Sequence, residues 1–476
     1  MRFQRFKKIV IIPAVLLFLF SLEGVLFAED LSRETQAMQR ETYGERRTAV
    51  VAEKSEETAI EKKFKTGVTY EDVLKDPDNI DLNFRYAKQQ IAKGELLGAS
   101  ATLERMILIN PNLADVRLLY GVVLYRLDSL NEAQKELEML KTVSLPPKIR
   151  SDVNLYLKKI KSRKRRTHIA LRETLGWGYD TNRNASPSSK YQWLTEIPLQ
   201  TTGTNVRLHD THFLNVTSVD VTHDLGFQAG HSLFGSFTYY LQEQTQVDSL
   251  DLASFQYELG GTYKTKWVNF TPSFYMSNVT LSRETFLRTQ GGSFLFDHNF
   301  GKKLNVFYNF RIERQDYSNI WEDNNAYNRK GSEADNYWGF SYILLPTMRW
   351  STTLGYGHKS AKQDYYAYSR LSLTNTHTWI LPKGMFLINT VSAYFDNYDA
   401  PDFTVAWRHR RDKSMRYRVT YGIPLTTLML GKILPGPLRD TVFTFSYEYY
   451  RAHSNITNYS YHNNKIQALL GFRFEY

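Results

Sequence analysis

Cysteine is absent from the 476 residues, which excludes disulfides, thiolate metal sites, a thiol nucleophile and lipid attachment at an N-terminal cysteine. Long apolar runs are equally scarce. Beyond residue 30 no stretch of about 20 apolar residues occurs, so a polytopic helical membrane protein is excluded. The local signatures of chemistry are missing too: no glycine-rich phosphate loop, no serine in a nucleophile elbow and no trusted pair of catalytic carboxylates. The 11 histidines are scattered, and His409 in Trp407-Arg408-His409-Arg410-Arg411 reads as part of a basic rim rather than a metal ligand. An enzyme, a cofactor and a metal are therefore not expected. Lys plus Arg is 60 against 49 Asp plus Glu, and this charge of +11 is too diffuse to argue for nucleic acid.

What is abundant is aromatic: 32 Tyr, 28 Phe and 8 Trp make 14% of the chain, a surplus that needs a location. The amino end reads as a secretory signal peptide over residues 1–28. Arg2, Arg5, Lys7 and Lys8 precede an apolar core from Ile9 to Leu22, and Leu26-Phe27-Ala28 offers a cleavage site. Residues 29–66 are dense in charge and poor in apolar side chains, as expected of a flexible leader.

Residues 67–161 carry a repeat. Leu82 and Val116, Tyr86 and Tyr120, Ala99 and Ala133, Leu103 and Leu137, and Met106 and Leu140 are all 34 apart, the tetratricopeptide period. Small residues recur where paired helices must approach (Ala87 and Gly121, Ala99 and Ala133), and Pro111 and Pro146 end the second helix of each unit. Ile149, Val153, Tyr156 and Ile160 give a third helix an apolar face that caps the array. Such arrays present a concave groove for a peptide. Repeat position assigns Phe84, Lys88, Ile91, Leu118, Val122, Tyr125 and Arg126 to that groove, or equally to the core. The run KKIKSRKRR from Lys158 to Arg166 predicts a basic hinge over 162–166, either solvated or attracted to anionic lipid.

From residue 167 to 476 the period changes to two. In Leu304 to Glu313, Leu304, Val306, Tyr308, Phe310 and Ile312 share one face, while Arg311 and Glu313 lie on the other. Arg416 and Arg418 oppose Tyr417 and Val419, and Glu448 opposes Tyr447 and Tyr449. These segments are too long for a soluble sandwich and match bilayer-spanning strands of about 9–11 residues flanked by aromatic girdles. Fourteen are expected, near 167–180, 210–224, 231–244, 250–264, 266–279, 285–299, 302–316, 333–345, 348–361, 366–381, 384–396, 403–424, 439–452 and 463–476. Arg311, Glu313, Arg416, Arg418, Glu448 and Arg473 then line a wet lumen of mixed charge. The apolar connection 425–439 falls on the side of the short turns and is predicted to contact the repeats, plug the pore or, equally, mark a miscounted strand, since 403–424 could split into two. Phe472, Phe474 and Tyr476 end the chain on an aromatic, as outer-membrane barrels do where their assembly machinery reads the last strand.

The fold class is thus α plus β and multidomain: a short helical repeat array followed by an antiparallel transmembrane barrel. In this order the chain resembles the surface lipoprotein assembly modulators, through the stretches Ala99 to Pro111 (ASATLERMILINP), Val116 to Leu137 (VRLLYGVVLYRLDSLNEAQKEL) and Gly176-Trp177-Gly178-Tyr179-Asp180-Thr181-Asn182. The resemblance implies an outer-membrane translocator of a Gram-negative bacterium. Its repeats hold a protein client in the periplasm, and its barrel delivers that client to the surface. Outer-membrane lipid and the barrel assembly machinery are its further partners. The alternatives are an exopolysaccharide export porin and a passive porin or adhesin.

Overall fold

A computed structural model describes residues 68–143, 146–200, 206–227, 229–429, 438 and 440–475. The signal peptide, the leader, most of 425–439 and Tyr476 lie outside the described residues. The chain divides into two compact units at Arg166/Thr167.

The helical unit contains α1 (Tyr70–Lys75), α2 (Ile80–Lys93), α3 (Leu96–Ile109), α4 (Ala114–Arg126), α5 (Leu130–Met139) and α6 (Pro147–Lys164). Its termini follow local chemistry. Thr69 and Asp72 form a capping box at α1, Asn79 accepts the Leu82 amide at α2, and Gly94 closes α2 in the left-handed conformation. The starts of α2 and α4, Ile80 and Ala114, are 34 residues apart, as are Leu96 and Leu130 of α3 and α5. The repeat positions fill the core: Ala87, Ala99, Leu103, Met106, Ala133 and Leu137 have no exposed surface. Gly121 is required by close approach, because a β-carbon there would meet Leu137 Cδ2 at 2.8 Å. The expected hinge over 162–166 is corrected: α6 runs through Lys164, so only Arg165 and Arg166 separate helix from strand. Basic residues in the last turn suit the helix C-terminus, which is why the charge run extends the helix instead of ending it.

The second unit is a closed antiparallel barrel of fourteen strands. They are β1 (Thr167–Asp180), β4 (Asp210–Asp224), β5 (Ser232–Gln244), β6 (Leu252–Lys264), β7 (Asn269–Leu281), β8 (Glu284–Phe300), β9 (Leu304–Tyr317), β10 (Gly331–Leu345), β11 (Met348–Lys359), β12 (Tyr368–Ile380), β13 (Phe386–Tyr398), β14 (Arg411–Pro424), β15 (Val442–Ser454) and β16 (Tyr461–Glu475). Each pairs with its neighbours in the chain, and β1 closes the ring against β16, with Ala170 opposite Glu475 and Asp180 opposite Lys465. Both ends of the barrel therefore lie at one rim, here the turn end. Connections there include 265–268, 301–303 and 346–347, whereas the loop end carries 181–209, 318–330 and 399–410.

Two readings are corrected. The strand expected over 403–424 begins at Arg411, because the backbone before it is committed to a loop: Val405 and Ala406 donate to the Asp402 carbonyl and Trp407 donates to Glu196 Oε1. The first long loop contains an unexpected hairpin, β2 (Tyr191–Leu194) with β3 (Ile197–Gln200). Its turn residues Thr195 and Glu196 both adopt positive φ, 49° and 62°, without the Asn or Gly that marks such turns in a sequence. In the segment 425–439 the described part forms α7 (Leu425–Leu428), and its expected contacts fall outside the described residues.

Leu137→Ala is expected to destabilise the helical unit by about 2–5 kcal/mol. Leu108→Ala, at a side chain 78% exposed, is expected to change stability by less than about 0.5 kcal/mol. Loss of ellipticity at 222 nm in urea, followed on the full chain, measures both.

Candidate functional site: a barrel interior closed at one end

Strand parity sorts the wall into two faces. Trp177, Tyr257, Phe274, Ile312, Trp338 and Phe445 point outward and are exposed, whereas the six residues assigned to the lumen all point inward. An apolar, aromatic outside around a charged inside is the arrangement of a bilayer-spanning barrel.

The inward face is graded along its length. On β1 the inward residues run from exposed His168, through half-buried Ala170 and Arg172, to buried Thr174, Gly176, Gly178 and Asp180 at the loop end. On β4 the order is mirrored, with Asp210 to Ser218 buried and Thr222 exposed, and β5, β9 and β11 repeat the gradient. The wet lumen expected from sequence is thus confined to the turn end, and side chains exclude solvent from the loop end.

Two kinds of filling achieve this. On the side of β4–β9, Leu214, Val216, Tyr240, Leu252, Phe286 and Tyr317 form an apolar cluster, into which the loop 318–330 inserts Ile320 and Ala326. The rest of the filling is ionic, and part of it lies on the same strands. Arg418 Nε donates to Glu448 Oε2 at 2.8 Å, and both side chains are under a tenth exposed. Arg370 makes a bidentate pair with Asp396 at 2.7 and 2.9 Å. Arg416 lies 5.8 Å from the Tyr450 ring. Arg311 donates to Tyr275 Oη and to Glu313, which also accepts from Gln315, all at 2.7 Å. Arg473, nearer the turn end, pairs with Glu475.

Sequence reasoning missed a second set: Asp180, His212 and Lys465 meet at the loop end, with His212 Nδ1 and Lys465 Nζ 3.4 and 3.8 Å from Asp180 Oδ2. Inward parity marks each of them, but only the β1–β16 and β1–β4 registers bring them together.

Loops complete the closure. Trp193 of β2 donates its amide to Asn458 Oδ1 at 2.6 Å and accepts from Asn458 Nδ2 at 2.8 Å. Val405, Ala406 and Ile456 are buried against Trp193 and Tyr459, and Arg410 stacks 3.4 Å from the Tyr459 ring centre. Burial pushes the Tyr459 hydroxyl upward, and it pushes Tyr366, beside Arg329, up to about 12.

In the helical unit, Phe84 and Ile91 pack partly on the core of Ala87, Leu103 and Met106, and Leu118 and Tyr125 on that of Leu124, Ala133 and Leu137. Lys88 Nζ sits 4.0 Å from the Phe84 ring centre, Val122 is half-buried and Arg126 is exposed. Phe472 and Phe474 lie on the outward face of β16, opposite Glu173 and Leu171.

No protein-family profile matches the chain, and no curated protein matches it. Solved structures to which it is similar include Pseudomonas aeruginosa OprD, at 11% identity over 64% of this chain and 95% of that one, with a TM-score of 0.32. OccAB3 of Acinetobacter baumannii is similar at 10% identity over 65% of this chain and 99% of that one, with a TM-score of 0.32. OmpT, an outer membrane protein of Vibrio cholerae, is similar at 6% identity over 65% of this chain and 98% of that one, with a TM-score of 0.35.

Glu448→Leu leaves the Arg418 guanidinium buried without its counter-charge and is expected to cost about 3–5 kcal/mol, most of it recovered in Arg418→Met/Glu448→Leu. Urea unfolding read by the heat-modifiable gel mobility of the barrel checks both. Because the Tyr366 hydroxyl ionises later in the folded than in the unfolded chain, its contribution is complete below pH ~10 and declines as pH rises through about 12. Proteolysis of the loops is therefore expected to accelerate over that interval and to be unchanged between pH 7 and 9.

Proposed function

We propose that the chain is an outer-membrane conduit of a Gram-negative bacterium, closed at its outer mouth at rest, which receives a protein client on the periplasmic side. The graded inward face carries this reading. Inward Asp180 and His212 at the loop end are 2% and 0% exposed, which supports a mouth filled by side chains at rest. The inward residues at the turn-end rim, where β1 begins, are the solvent-exposed ones, which leaves that rim as the way in for a client. The 34-residue offset of the helix pairs supports reading that unit as tetratricopeptide repeats, with Phe84, Lys88, Ile91, Leu118, Tyr125 and Arg126 as candidate client contacts. Delivery of a lipoprotein or a soluble protein to the cell surface, as the resemblance to the surface lipoprotein assembly modulators implies, is the role that joins the two units. Phe472 and Phe474 suit recognition by the barrel assembly machinery, and a processed signal peptide accounts for export. No chemical step is assigned to the chain.

A second reading is export of a polysaccharide, whose exporters also join such repeats to a barrel.

In planar bilayers the full chain is expected to stay closed for long intervals, and deletion of 399–410 to produce sustained conductance. Steady open-pore current from the unaltered protein contradicts the closed-mouth reading. Protease shaving of cells lacking the gene separates the two cargoes: loss of a surface protein supports the first, and loss of extracellular polymer with surface proteins unchanged supports the second.

A further inference from the structure

The outer wall has a polar interruption near the loop end that the conduit does not use. At the loop-end margin of the apolar belt, Tyr257, Met276, Asn278, Arg288, Gln290 and Asp316 line a cleft of about 250 Å³ on the outward face of β6–β9. Its floor is apolar, continuing into exposed Phe274, Phe294 and Ile312 below. Its rim is polar. Arg288 is exposed and has no hydrogen-bond or ion-pair partner among the described residues, and the side-chain Oδ1 of Asn278 is sealed from solvent without a hydrogen bond. The strand registers place Arg314 across from Gln290 and Asp316 across from Arg288. Asp316 is the one carboxylate of the lining, and Lys330 and Arg314 both engage it, so three cations face a single negative charge.

Two backbone features shape the cleft. The pairing of β7 with β8 slips between Val279 and Thr280, re-aiming the side chains at its upper edge. The connection above is only Ser282-Arg283, both at positive φ, so no long loop from this hairpin roofs it.

We propose that this cleft binds the phosphate of a phosphorylated lipid in the surrounding leaflet, with Arg288 and Arg314 on the phosphate and an acyl chain along Tyr257 and Met276. The inference rests on the membrane reading above. An arginine at the edge of the hydrocarbon is costly unless its charge reaches water or an anion. The guanidinium fork matches phosphate oxygens in a bidentate fashion, and an apolar floor beneath a cationic rim reproduces the order of headgroup and chain.

The test uses the full chain, first floated with phosphatidylcholine vesicles and then measured by native mass spectrometry with dioleoyl phosphatidic acid. Dioleoylglycerol and inorganic phosphate serve as the other arms. The expected result is insertion into the vesicles and retention of one phosphatidic acid per barrel. Retention should fall at least tenfold in Arg288→Gln/Arg314→Gln and remain unchanged in Arg451→Gln, an exposed arginine on the outward face of β15 that is not part of the lining. Dioleoylglycerol should not be retained, and millimolar inorganic phosphate should not displace the lipid. Equal retention by the double variant, or an equal loss in Arg451→Gln, overturns the site and leaves the membrane reading standing. Displacement by inorganic phosphate overturns the lipid as occupant. Failure to insert overturns the membrane reading together with this one.

Discussion

Everything in the second unit depends on β1 finding β16. A wall in hydrocarbon has no water to satisfy its backbone amides, so each N–H must meet a carbonyl on a neighbouring strand, and an unpaired edge is not tolerated. Eleven residue pairs, from Ala170 opposite Glu475 to Asp180 opposite Lys465, remove the edge that fourteen strands in a row would leave. Once that register is set, alternation has one solution. Ile169, Leu171, Leu175 and Trp177 face out, and Arg172, Thr174 and Asp180 face in. A slip by one residue would put the charges in lipid.

The same closure assembles the interior. Asp180 comes from β1, His212 from β4 and Lys465 from β16, and they meet only because the ring is complete. Groups so deeply buried are stable as pairs and costly when single, which makes the loop end a web whose members depend on one another. The apolar cluster around Tyr240 and Phe286 does the corresponding work beside it without charge. Together they leave inward residues that are solvated toward the turn end and buried toward the loops.

Much of this is legible in the chain and some is not, for physical reasons. The 34-residue period exposes the core of the helical unit because each repeat position does the same packing job, as Ala99 and Ala133 illustrate. Period-two alternation marks the strands, and it places Arg311, Glu313, Arg416, Arg418, Glu448 and Arg473 on the inward face. Alternation carries no register, however, and so leaves partners unknown: nothing local in sequence joins Arg418 to Glu448 or Arg370 to Asp396. The hairpin β2–β3 escapes because its turn is built by Thr195 and Glu196, and the start of β14 because loop hydrogen bonds, not residue types, decide where pairing begins. Dryness at the loop end is likewise a property of loops folding over the mouth, which composition does not record.

The absence of cysteine offers the most direct measurement of the central claim, that the bore is open toward the turn end and shut at the loop end. A single cysteine placed at Asn305, an inward position at the turn end of β9, gives one target for a membrane-impermeant maleimide. The account predicts rapid labelling when the reagent is admitted to the periplasm and none when it is offered outside intact cells. Labelling from outside at a comparable rate would show a bore open from end to end and contradict the account.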